Sequence, residues 1–239
     1  MARAGPSDFR LTSNIVALRL TVTHPKLLNE SSLAEVARTL AKRDELLGQI
    51  FARYGPPPLW RRATGFTTLV HIILEQQVSL QSGAAMLKRL QSSIEPFTPE
   101  QFGKLGDQHL RGLGVTRQKA GYLIHLSTRL SEGSLDFKRL ARLDDLAARQ
   151  ELMSVKGIGA WSAEVYLLMA MRRPDIWPAG DLALAVVIKE LFNLEHRPGP
   201  IELESIAERW RPHRAVAARM LWHYYLSKKA EARTSASQR

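Results

Sequence analysis

No cysteine occurs in the 239 residues of this chain. A disulfide framework, a cysteine-ligated iron–sulfur cluster, a thiolate zinc site and a cysteine nucleophile are therefore excluded. Long apolar runs are also missing. The longest, such as 182–188, fit the core of a helix and fall far short of the ~20 residues that span a bilayer. The first residues hold neither the contiguous apolar stretch nor the small-residue cleavage site of a secretory signal. A cytoplasmic, nucleoid-associated protein with no membrane contact is expected. The seven histidines are scattered, with no HExxH and no repeated ligand spacing, and neither a Walker sequence nor a nucleophile elbow appears. Acidic residues are outnumbered, 23 against 34 basic ones, giving a net charge of +11. Residues 1–10 contribute +1 and 227–239 contribute +3, so the body keeps +7. A basic body favours a polyanionic partner, because neutralising phosphates releases counterions.

What is present is a soluble, core-forming composition, 45% hydrophobic and 24% charged. Residues 14–23 alternate apolar and polar side chains, a strand signal. No second run pairs with it, so 1–30 reads as an N-terminal extension, a lone strand or disordered. From Ser31 onward the period is helical. Ser31 and Ser32 are candidate caps for a helix carrying Leu33, Val36, Ala37 and Leu40. Tyr54-Gly-Pro-Pro-Pro58 breaks the chain. Over 64–79, Phe66, Leu69, Val70, Ile73, Leu74 and Val78 fall on one helical face. Thr98-Pro99-Glu100-Gln101 reads as a capping box with proline at the first helical position, and Thr116 opens another helix. Further helices are expected at 144–153, 160–171, 182–192, 201–210 and 213–228, with a basic disordered tail over 227–239. About ten helices joined by short turns, with no βαβ alternation, define an all-α domain over 31–226. A faint internal echo pairs Leu110-Arg-Gly-Leu-Gly114 with Met153-Ser-Val-Lys-Gly-Ile-Gly159, each ahead of a helix.

Two segments carry chemistry. In 152–163, Gly157 and Gly159 permit a tight hairpin and close approach of another backbone. The free N–H groups of that turn and of the following helix N-terminus suit a phosphate, and Lys156 adds charge beside them. Ser162 stands where a third glycine would complete a dinucleotide fingerprint, and no strand precedes the turn. The second segment, Trp177-Pro-Ala-Gly-Asp181, opens an apolar helix with Asp181 at the N-cap position. An N-capping carboxylate is held rigidly and kept ionised by helix N–H groups, on the same face as the hairpin.

A helix–hairpin–helix followed by a Pro/Gly loop and an aspartate resembles the helix–hairpin–helix–GPD superfamily of base-excision DNA glycosylases. Within it, the chain is most similar to the 3-methyladenine DNA glycosylase II (AlkA-type) branch. The resemblance covers roughly 55–228. Support comes from Ile72-Ile-Leu-Glu-Gln-Gln-Val-Ser79, from 110–122, and from Ala207-Glu-Arg-Trp-Arg-Pro-His-Arg214 leading to Leu221-Trp222. It implies two helical subdomains flanking an active-site cleft. It implies too a monomeric enzyme that removes alkylated purines such as 3-methyladenine and 7-methylguanine from damaged double-stranded DNA. Asp181 falls on the catalytic aspartate. Trp161 falls where lyase-competent relatives keep a lysine, so hydrolysis without strand cleavage is implied. Trp161 and Trp222 match aromatics that stack on the extruded base. Gln77 matches the side chain that fills the gap left by the flipped nucleotide, beside Lys156, Gly157 and Gly159, the expected DNA contacts. No cofactor is implied, apart from a monovalent cation that some relatives hold on hairpin carbonyls, here those of Met153, Val155 and Ile158. Three positions depart from the pattern: Val165 and His213 replace aromatics, and Glu75 replaces a glycine. Two other readings stay open. One is a non-catalytic helix–hairpin–helix DNA-binding protein in which Asp181 only caps its helix. The other is a glycosylase for oxidised or deaminated bases.

Overall fold

Side-chain caps start most of the helices in the computed structural model, which describes residues 26–237. The alternating run at 14–23 lies outside the described residues. In chain order the helices are α1 (Glu30–Arg43), α2 (Glu45–Tyr54), α3 (Phe66–Glu75), α4 (Leu80–Ser93), α5 (Pro99–Gly112), α6 (Arg117–Ser131), α7 (Phe137–Arg142), α8 (Asp145–Met153) and α9 (Ala160–Val165). A π-helical turn (Tyr166–Ala170), α10 (Leu182–Leu191), α11 (Pro200–Ala207), a 3-10 turn (Glu208–Trp210) and α12 (Arg214–Ser237) complete the order. No strand occurs among the described residues, and the all-α expectation holds.

The caps show how local sequence sets these starts. Thr98, Thr116, Asp144 and Asp181 each accept an N–H from the residue three positions on. α1 differs from expectation. Its cap is Asn29, whose Oδ1 accepts the Ser32 N–H at 2.8 Å while Ser32 Oγ accepts the Asn29 N–H at 2.9 Å. Ser32 is therefore the reciprocal partner inside the first turn rather than the cap itself.

Two further expectations are corrected. The apolar helix expected over 64–79 ends at Glu75, because Gln77 takes a left-handed φ of 57° and Ser79 caps a new helix. Val78, assigned to the buried face, is 47% exposed. The tail expected to be disordered from residue 227 instead continues α12 to Ser237. Its alanines, lysines and glutamate are strong helix formers, and it is pinned by ion pairs of Glu231 with Arg53 and of Lys228 with Glu190.

The helices pack as two groups. α1, α2 and α12 contact one another and α10 packs on α12, while α3 packs with α4, α6 and α9, beside the α5–α6 and α8–α9 pairs. The echo noted in the sequence is real in shape: both α5–α6 and α8–α9 turn through a glycine of positive φ, Gly114 at 95° and Gly157 at 90°. Between the groups lies Arg219, fully buried on α12. Its guanidinium donates to the carbonyls of Leu59 (3.1 Å), Ala215 (3.1 Å) and Leu168 in the π turn (2.7 Å). Burial pushes its pKa down to about 10, so it stays charged at neutral pH, solvated by these carbonyls instead of water. Arg219 thereby ties the segment before α3, the end of the hairpin's second helix and α12 together.

Candidate active site

Asp181 sits where the two groups meet. The Trp177–Gly180 loop is nearly all buried and turns tightly, with the Asp181 N–H on the Pro178 carbonyl at 3.0 Å. The half-buried carboxylate that follows is fixed by three donors. Oδ1 accepts the Leu184 backbone N–H at 3.0 Å and the Trp222 indole N–H at 3.1 Å. Oδ2 accepts the Trp161 indole N–H at 2.9 Å. Trp161 comes from the first turn of α9, just past the hairpin, and Trp222 from α12, so one carboxylate joins both helical groups. A carboxylate offers about four lone-pair positions. Among the described residues three are occupied, which leaves one, on Oδ2.

The structure thus brings Asp181, Trp161 and Trp222 together and gives the tryptophans a role the sequence did not show: their N–H groups orient the carboxylate. A third indole, Trp60, was missed. Its ring meets that of Trp222 edge-on, with centroids 6.4 Å apart. Its backbone has a left-handed φ of 47°, unusual for a bulky residue. The carbonyl before it, that of Leu59, is held by Arg219, and the N–H of Arg62 donates to the Met169 carbonyl at 3.2 Å. The sequence signal was a tryptophan one residue beyond a proline run, Pro56-Pro-Pro-Leu-Trp60. Two surface hollows lie elsewhere, one lined by Leu27, Thr64 and Arg172 among others, the second by Lys26, Val36 and Pro212 among others. Neither includes Asp181 or a tryptophan.

The hairpin has the form its glycines suggest. Val155 and Ile158 anchor it in the core, while Lys156 is exposed. The Lys156 N–H donates to His125 Nδ1 on α6 at 3.1 Å. Gly157 packs so closely on α6 that a Cβ there would lie 2.2 Å from the Tyr122 ring, whereas a Cβ on Gly159 would meet nothing within 4 Å. The amides of Gly157, Gly159 and Ala160 have no acceptor among the described residues. This edge of unpaired N–H groups at a helix N-terminus is what an anionic oxygen requires. Gln77 stands exposed on the neighbouring turn. The Gln76 amide ties that turn to the hairpin, donating to the Gly157 carbonyl at 2.8 Å and to Ser162 Oγ at 2.9 Å. Lys156, Gly157, Gly159 and Gln77 therefore belong to one connected surface.

The departures are structural. Glu75 forms a two-pronged ion pair with Arg62 at 2.7 and 2.9 Å and is buried. It also packs on Gly83, where a Cβ would lie 2.7 Å from its Cγ, so it adds no free negative charge to the surface. Val165 is buried and His213 half-buried. Glu164, on the buried side of α9, bonds Arg149 at 2.8 Å through Oε1 and leaves Oε2 without a partner among the described residues. Burial pushes its pKa up to about 7, against the pull of Arg149. Among the described residues no cluster of histidine, aspartate and glutamate can hold a metal ion.

A helix–hairpin–helix set beside a rigid, capping aspartate defines the class, and the chain belongs to the HhH-GPD superfamily of base excision DNA repair proteins, whose family model matches residues 70–212. Among curated relatives, it is 27% identical over 169 residues to a DNA-3-methyladenine glycosylase of Bacillus subtilis, covering 66% of this chain and 56% of the relative. It is 28% identical over 167 residues to DNA-3-methyladenine glycosylase 2 of Escherichia coli, covering 64% of this chain and 55% of that one. The chain thus spans little more than half the length of these two proteins. Among solved structures, a DNA-3-methyladenine glycosidase of Bacillus halodurans superposes with a TM-score of 0.69 at 29% identity, covering 80% of this chain and 88% of that one.

Proposed function

We propose that the chain is a monofunctional DNA glycosylase that hydrolyses the N-glycosidic bond of alkylated purines in duplex DNA. One observation carries the reading: the Asp181 carboxylate is immobilised by three N–H donors next to the hairpin's unpaired amides. As the glycosidic bond breaks, the sugar becomes an oxocarbenium-like cation, and a fixed anion beside C1′ stabilises it without reorganising. The remaining Oδ2 lone pair accepts a hydrogen from the attacking water. Water adds to C1′, the alkylated base leaves with the bond's electron pair, and the water's proton passes to the carboxylate or to solvent. A purine already cationic leaves readily and is attracted to aromatic rings, two of which stand at the carboxylate. The target must be flipped out of the stack. The amides of Gly157 and Gly159 with Lys156 grip the backbone, and Gln77 enters the vacated space.

The named activity of the relatives supports the substrate class. Trp161 supports hydrolysis alone, since an indole cannot form the Schiff base of a lyase. The hairpin carbonyls fit a monovalent cation. Those of Met153 and Ile158 accept no hydrogen bond among the described residues, and that of Val155 accepts only the Ile158 N–H at 3.0 Å. Such an ion would add positive charge facing a phosphate. Methylated duplex DNA incubated with the protein tests the reading. Free methylated purine with strand breaks only after alkali is expected. Breaks without alkali contradict hydrolysis, and no released base leaves DNA binding alone.

A further inference from the structure

The helix-ending carbonyls of α3 find an unusual partner. Lys119 Nζ, reaching across from α6, donates to the Leu74 carbonyl at 2.7 Å and to the Gln76 carbonyl at 2.8 Å. Its position on its own helix is unfavourable. Lys119 lies in the first turn of α6, its N–H on the Thr116 cap, where a helix dipole repels a cation. It is also partly buried, and desolvation lowers its pKa. The compensation lies on α3, whose C-terminal end attracts positive charge and whose Leu74 carbonyl accepts no backbone N–H among the described residues.

Those carbonyls lie just ahead of Gln77, where α3 gives way to the α3–α4 turn. On one side, Lys119 holds the main chain at Leu74 and Gln76. On the other, the Gln76 side chain is fastened to Gly157 and Ser162. Directly after these clamps Gln77 adopts φ 57°, a left-handed conformation unfavourable for a residue with a Cβ, and is exposed. A strained residue persists only where its surroundings over-determine it. We propose that Lys119 is a positioning residue: its ammonium locks the α3–α4 turn so that Gln77 is presented to the gap left by a flipped nucleotide. This rests on the reading of Gln77 as the gap-filling side chain, and the test separates the two.

The test compares Lys119→Met, which keeps the aliphatic stem without donors, Lys119→Arg, which keeps the donors, and Gln77→Ala. The probe is a duplex holding an abasic-site analogue beside 2-aminopurine, whose fluorescence reports local stacking. Binding by the unaltered protein is expected to change the fluorescence. Gln77→Ala and Lys119→Met lose at least half of that change while their affinities stay within about fivefold, and Lys119→Arg retains it. Single-turnover base release from a methylated duplex falls at least tenfold in the first two and recovers in the third. Should Lys119→Met not fold, Lys119→Gln takes its place with the same expectation. A full fluorescence change in folded Lys119→Met or Lys119→Gln, with Gln77→Ala defective, overturns the proposal while sparing the role of Gln77. A full change in Gln77→Ala removes the role of Gln77 and the proposal with it. A fluorescence defect in both without base release by the unaltered protein upholds the positioning role and removes the glycosylase reading.

Discussion

Asp181→Asn changes the charge at the site while nearly preserving its shape, and the structure sets the size of two separate effects. The first is chemical. A carboxylate ~4 Å from a sugar cation contributes about 4 kcal/mol at an effective dielectric near 20, and its loss slows base release about a thousandfold. The second concerns hydrogen bonds. The carboxylate accepts from Leu184, Trp222 and Trp161, and asparagine has a single acceptor oxygen. In its better orientation that oxygen keeps the Leu184 and Trp222 bonds. The amide NH2 then faces the Trp161 N–H, donor against donor, at a position where the native pair is 2.9 Å apart. One unsatisfied buried donor pair costs about 1–2 kcal/mol, or about 3–6 °C in melting temperature for a chain of this size. Adding Trp161→Phe removes the opposed donor. The double variant should regain most of the lost melting temperature and remain inactive. Single-turnover release of methylated base, thermal melting and binding to abasic-site duplex measure the three quantities, and binding should stay within a few-fold of the unaltered protein. Release by Asp181→Asn at more than a tenth of the native rate would refute the electrostatic argument. A melting temperature unchanged in the single variant, or unrecovered in the double one, would refute the account of how the carboxylate is held.

The hairpin glycines should separate by role. Gly157→Ala forces a Cβ to within 2.2 Å of the Tyr122 ring at a positive φ, and should destabilise the fold by about 3 kcal/mol in denaturant melts. Gly159→Ala has φ −84° and nothing near its new methyl, so its stability should hold while DNA affinity drops about tenfold as the methyl obstructs a phosphate. Equal stability loss in both would contradict the division. Glu164 gives a pH signature. Its pKa rises from the ordinary 4.5 to about 7 in the folded protein, so the folded state holds a proton that the unfolded chain releases. Its contribution is complete below about pH 4.5 and is lost as pH rises through about 7, amounting to about 3 kcal/mol. Glu164→Gln, permanently neutral, should match the native protein near pH 4.5 and exceed its stability progressively up to pH 8. A stability difference independent of pH would show that the carboxyl is ionised throughout.

The parts of this molecule that sequence made legible are those whose cause lies within a few residues. Thr98, Thr116 and Asp181 cap helices because a short polar side chain three residues before a free N–H can do so without help from the rest of the chain. Gly157 and Gly159 bend a hairpin for equally local reasons, and together with Asp181 they carried the family resemblance. What stayed hidden joins residues far apart. Arg62 with Glu75, Lys119 on the end of α3, and Arg219 on the Leu59 carbonyl are charged side chains whose residue type alone suggests solvent. Only the fold reveals that each neutralises or satisfies something buried. A trace of one was present: Arg219 stands in Ala215-Val-Ala-Ala-Arg-Met-Leu-Trp222, apolar on every side, where an arginine is tolerable only if backbone carbonyls surround it. The same division explains the tail of α12, since polar composition suggests disorder until Arg53 and Glu190 supply partners from elsewhere. At the candidate site the two kinds of information meet. Local sequence places a carboxylate at a helix start. The long-range packing of α9 and α12 sets two indole N–H groups on it, and Arg219 fixes the strand of chain bearing Trp60 against one of them. A charge in the right place is thus readable early, whereas the stiffness that lets it act on a transition state depends on contacts that no short segment encodes.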